Sequence, residues 1–246
     1  MSQEPSPSAA KAPPTLVEVL LRIRDDMRTR QAPPYLYMGL PNAGRLRCFM
    51  GGYWRCTYQL GMDEGQDHLF GLWLRDVKKA WPGEGWAAAY LRECDGDHLR
   101  AVSKFLDFVA EFRDLAPEEL AALPLHGEER GLLGKPPSLQ PTQPPMPTLD
   151  ELLEIRRGGR ILMYIGEARV ELMAGYIDGY RLCLSLAGLK DQEYPRFEHW
   201  LQDTGRVPPG HAWEDSFLHT AHGDHEAAIQ QFLDGAAEFR ALGTAS

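Results

Sequence analysis

The stretch RVELMAGYIDGYRLCLSLAG, residues Arg169 to Gly188, decides the class of the fold. Its apolar residues Leu172, Met173, Tyr176, Tyr180, Cys183, Leu184 and Ala187 recur at spacings of three and four, and a glycine follows them. That period belongs to one face of a helix, and glycine is the usual stop. The spacing predicts an amphipathic helix from about Arg169 to Ala187, with an equivalent from about Asn42 to Leu60 that stops at Gly61.

The equivalence extends along the chain. Shifting the sequence by 127 residues brings Gly52-Tyr53 onto Gly179-Tyr180, Cys56 onto Cys183, Phe70 onto Phe197 and Trp73-Leu74 onto Trp200-Leu201. The same shift brings Pro82-Gly83 onto Pro209-Gly210, Trp86 onto Trp213 and Gly96-Asp97-His98 onto Gly223-Asp224-His225. From Tyr37 to Leu115 there are 26 identities over 79 positions without a gap. Self-similarity of that length reads as an internal duplication. Before Tyr37 the offset becomes 133, because Thr15 with Glu18 matches Thr148 with Glu151, and the first copy holds six extra residues around Gln31 to Pro34.

The expected organisation is a tail over 1–14, a first helical repeat over 15–115, a short helix and proline-rich linker over 116–147, and a second repeat over 148–242. Each repeat reads as about five helices, giving an all-α chain. The segment 160–165 is the one place where a very short strand is expected. Thr15 and Thr148, each with a glutamate three residues on, predict capping boxes, while Asp97 and Asp224 sit where the last helix of each repeat needs its N-cap.

An apolar share of 43% with six tryptophans suits packed cores. The N-terminus has neither the basic nor the apolar region of a secretion signal, and no apolar run has membrane-spanning length. Cys48, Cys56, Cys94 and Cys183 form no CxxC pair, so reduced thiols in a cytoplasm are expected rather than disulfides or zinc. The formal charge of −9 is uneven: residues 15–115 carry fourteen basic against fourteen acidic residues, and residues 148–242 carry nine against sixteen. An acidic second half repels nucleic acid and favours a basic partner.

No nucleophile elbow, phosphate loop, dinucleotide fingerprint or zinc-protease helix is spelled in the chain, and neither catalysis nor a cofactor is expected. His219, His222 and His225 recur every third residue and are the one candidate metal cluster, but the first repeat has Arg92, Asp95 and His98 there. The candidate partner-binding residues are Asp191, Glu193, Glu198, Asp203, Glu214 and Asp215, acidic positions most of which the first repeat lacks.

Thr148 to Arg156, Met163-Tyr164 with Gly166, Gly179-Tyr180 through Gly188, Phe197 with Trp200-Leu201, and Phe232 through Phe239 resemble a group of small bacterial helical proteins of immunity or antitoxin type. The first repeat keeps a weaker version in Tyr37-Met38-Gly39, Gly52-Tyr53, Trp73-Leu74 and Phe105 to Phe112. The chain departs from the pattern at Gly158 to Leu162, where that group has Arg-Pro-Gly before Met-Tyr. The resemblance implies a module that occludes a basic, toxin-like protein; a scaffold holding two partners is the alternative.

Overall fold

A computed structural model describes residues 12–29, 41–62, 65–124 and 146–243. The tail before Ala12, the Gln31 to Pro34 insertion, the Tyr37-Met38-Gly39 motif and most of the proline-rich linker lie outside the described residues.

Every regular element among the described residues is helical. The first half contains α1 (Leu16–Thr29), α2 (Ala43–Gln59), α3 (Gly65–Leu72, continued by a π-helical turn over Trp73–Val77), α4 (Trp86–Glu93) and α5 (His98–Arg113), followed by the short α6 (Pro117–Ala121). The second half contains α7 (Thr148–Gly158), α8 (Ile161–Ile165), α9 (Val170–Leu186), α10 (Glu193–Asp203), α11 (Trp213–Thr220) and α12 (His225–Gly243).

The predicted central helices are α2 and α9, ended by Gly61 and Gly188 at φ of 69° and 74°. Asn42 caps α2 by accepting from Arg45 N at 2.9 Å. Asp97 and Asp224 accept from the backbone three residues on, at 3.0 Å each, as their positions predict. Trp86 stacks on Phe105 with ring centres 3.9 Å apart, and Trp213 stacks on Phe232 at the same distance.

Two expectations are corrected. The segment 160–165 is not a strand: Met163 N donates to Arg160 O and Gly166 N to Leu162 O, so the run curls into α8 between left-handed Gly159 and Gly166. Five apolar residues are too few for periodicity to separate strand from helix. The second capping box is also absent. Thr15 and Glu18 do form theirs, at 2.9 and 3.2 Å. In α7, however, Pro147 occupies the cap position, the buried Thr148 hydroxyl has no hydrogen-bond partner, and Glu151 turns into the protein.

The two halves meet along α2 and α9, the most extensive helix pairing in the fold. The helices run in the same direction: Gly44 lies against Leu172, Arg45 against Gly175, and Gly52 against Tyr176 and Tyr180. Small residues every fourth position, Gly44, Cys48, Gly52 and Cys56 on α2 and Gly175, Gly179 and Cys183 on α9, let the backbones approach. A Cβ added at Gly52 would lie 1.9 Å from Tyr176 O, and one at Gly179 would lie 1.9 Å from Phe49 O. The first core accordingly includes Tyr180, Cys183 and Leu184 from α9 and Ala187 directly after it, while the second includes Cys48 from α2.

Neither glycine can accept a methyl group without moving a helix backbone. Gly52→Ala and Gly179→Ala should each cost at least the roughly 1–3 kcal/mol typical of overpacking, read as a fall in Tm. Gly71→Ala, in α3 with nothing within 4 Å of the added carbon, should be neutral or stabilising. Equal effects at all three positions would contradict the close approach.

Candidate recognition site

Polar side chains cross the α2/α9 seam at both ends. Near the start of α2, Arg45 donates to Asp178 of α9 at 2.9 Å and to Glu214 of α11 at 3.1 Å. Near its end, Arg55 donates to Glu151 and to Glu154 of α7, each at 3.2 Å. Gln59 Nε2 donates to Glu151 at 2.6 Å, and Tyr176 donates its hydroxyl proton to the same carboxylate at 2.6 Å. Glu151 is 1% exposed, so this network satisfies a charge that would otherwise be stranded. Burial, with Glu151 beside it, pushes the Tyr176 phenol far above its ordinary range and keeps it a donor.

The Arg45 end opens into two adjoining clefts that share Asp178 and Arg181. One, of about 420 Å³, is walled by Arg45, Asp178, Tyr194, Glu198, Trp213 and Glu214. The other, of about 850 Å³, is walled by Arg181, Ser185, Lys190, Asp191, Gln192 and Arg196 along with Asp178. Arg181 lies 4.1 Å from the Tyr194 ring centre and 3.3 Å from Glu198, so it stands between the two spaces.

Three of these carboxyls are shifted the same way. Burial raises Asp178 above its usual range, against the pull of Arg45. Burial also raises Glu198, opposed by Arg181 and assisted by Asp191, and it raises Glu214, opposed by Arg45 and assisted by Asp178. Clustered carboxyls whose pKa values burial raises, set in a recess, are a physical signature of binding sites. Asp191 differs from its neighbours in hydrogen bonding: both its oxygens are shielded from solvent and neither has a partner. A buried carboxylate without a donor calls for one.

Of the acidic residues singled out in the sequence, the structure brings Asp191, Glu198 and Glu214 to these clefts. Glu193 instead faces α12, where Arg240 lies 2.8 Å away. Asp203 lies 3.5 Å from His199 on the surface, and Asp215 is exposed in the first turn of α11. The histidine triplet does not assemble as a ligand set. His219 and His222 are exposed, while His225 Nδ1 accepts the Val170 amide at 3.3 Å; among the described residues no group of three His, Cys, Asp or Glu side chains is placed to hold a metal. His98 does the same for Ala43 at 3.2 Å, so the shared histidine of each half closes the start of a central helix.

Arg45, Asp178 and Arg181 escaped the sequence reading, and Glu151 was read there only as a cap. Their signal was a charge set inside or beside a row of small residues, as Asp178 is set beside Gly179. Under the 127-residue shift, Asp178, Glu198 and Glu214 stand where the first half has Gly51, Gly71 and Ala87.

A carboxyl whose folded pKa lies above its unfolded value binds its proton more tightly in the folded chain. Its contribution to stability is complete below the ordinary carboxylate range, about 4, and is lost as pH rises through the raised folded value. Replacing Glu214 or Asp178 by the amide removes that loss. The Tm of Glu214→Gln relative to the unaltered protein should therefore become more favourable as pH rises from about 4; a difference that stays constant or shrinks contradicts the raised carboxyl. Comparison of the chain with protein-family models, with curated proteins and with solved structures gives no match.

Proposed function

We propose that this chain is a protein-recognition module of immunity or antitoxin type, whose acidic second half takes a basic side chain of a toxin-like partner against Asp191 on the wall of the larger cleft, next to the cleft that holds Glu198. The observation that carries the reading is the Asp191 carboxylate, shielded on both oxygens, lacking any donor, and set on a cleft wall. Arg45 illustrates the fit from within the protein, since its guanidinium already lies between Asp178 and Glu214. Arg181, Lys190 and Arg196 on the same walls make the cleft selective, admitting a cation only where it reaches the carboxylates.

The reading takes the chain as two copies of one unit, 15–115 and 148–242, of which the second has acquired the charged cleft. Support comes from helix starts that recur at the 127-residue shift, Ala43 with Val170, Trp86 with Trp213 and His98 with His225. Four buried cysteines, none of them in a disulfide, suit a reducing cytoplasm. The two-partner scaffold draws on a different feature: Trp54 and Tyr58 of α2 stack at 5.6 Å while half exposed, offering the first half an aromatic surface of its own.

Growth rescue and titration calorimetry with a basic toxin encoded beside the gene test the proposal. Asp191→Asn with Glu198→Gln should weaken binding by at least about tenfold, as expected when a buried charge loses its partner, and should abolish rescue. Asp203→Asn should leave both unchanged. Binding that survives the cleft variant but is lost in Trp54→Ala with Tyr58→Ala would transfer the function to the first half and favour the scaffold.

A further inference from the structure

The two closest contacts of the α2/α9 seam are reciprocal. Gly52 lies under Tyr176 O and Gly179 lies under Phe49 O, and the 127-residue shift carries Gly52 to Gly179 and Phe49 to Tyr176. Each helix thus makes with its partner the contact that its partner makes with it, which is the property of an isologous interface between like subunits. The packing residues agree: Gly52, Tyr53 and Cys56 on one side correspond to Gly179, Tyr180 and Cys183 on the other. Around Gly179, the face of α9 has the residues that would pack against a second α9.

The polar residues on the seam are not reciprocal. Arg45, Arg55 and Gln59 of α2 correspond to Leu172, Leu182 and Leu186 of α9, and every carboxylate that they are seen to reach, Glu151, Glu154, Asp178 and Glu214, belongs to the second half. Two second halves paired together would set these carboxylates against leucines. Two first halves paired together would set Arg45 against Gly51 and Ala87, with no carboxylate to receive it. Either arrangement strands buried charge.

We propose that the central-helix face is a self-complementary docking surface whose partner by shape is a second copy of this chain, and that Arg45 and Arg55 against the carboxylates of the second half restrict it to the unlike half. Close glycine packing supplies the attraction, and the one-sided charges supply the pairing rule. Such division of labour is known in coiled coils, where flanking charges choose among partners that the apolar seam would accept equally. The proposal concerns assembly and stands apart from the cleft reading.

Full-length chains test it by charge exchange. One variant carries Arg45→Glu with Arg55→Glu, and the other carries Glu154→Arg with Glu214→Arg. Alone, each sets like charges across the seam and should lose several degrees in Tm, or leave the monomer for larger species in native mass spectrometry. All four substitutions in one chain should recover a monomer with most of the lost Tm. Refolding the two variants together should give a one-to-one heterodimer by exchange of halves, since each seam between unlike chains then has opposite charges. The pairing rule is overturned if either variant alone keeps the unaltered Tm and monomeric mass. It is overturned equally if the fourfold variant is no better than the sum of its parts and the mixture yields no heterodimer.

Discussion

The structure depends on one close approach, the backbone of α2 against the backbone of α9 at Gly52 and Gly179. Helices separated by ordinary side chains tolerate substitution by repacking; helices that touch through backbone atoms do not, because the obstacle to an added methyl is a carbonyl fixed in its own hydrogen bond. The approach brings Tyr180, Cys183 and Leu184 into the first core and Cys48 into the second. The two halves therefore share their interior, and the seam cannot open without exposing both.

The polar crossings act on that contact differently at its two ends. At the Glu151 end, three donors, from Arg55, Gln59 and Tyr176, converge on a fully buried carboxylate and close the interior. At the Arg45 end the ion pairs line open clefts, so the charges that tie the halves together also face any ligand that enters. The seam is thus sealed at its Glu151 end and open at its Arg45 end.

What was legible in the sequence was local or periodic. The caps at Asp97 and Asp224 reach three residues, and the apolar stripe of α9 repeats within two turns, so each can be read from a short window. Glu151 shows the limit. With Thr148 it is spelled like Glu18 with Thr15, yet it serves Arg55 and Gln59, which lie more than ninety positions earlier and enter through the tertiary fold alone. Arg45 reads as a solvated helix residue for the same reason, because its carboxylates lie 133 and 169 residues away. Three of the six carboxylates read as a partner surface, Glu193, Glu198 and Glu214, prove to be paired with arginines of the same chain.

The shared interior has a consequence for synthesis. The first core needs Tyr180 through Ala187, so the face of α2 that carries Gly52 has no cover until residue 187 has been made. From Leu60 to Ala187 is a further 127 residues, which at cellular elongation rates takes roughly 6 to 25 seconds. During that interval the emerging half presents a ridge of small residues shaped for its own kind, and neighbouring nascent chains on one message present the same ridge.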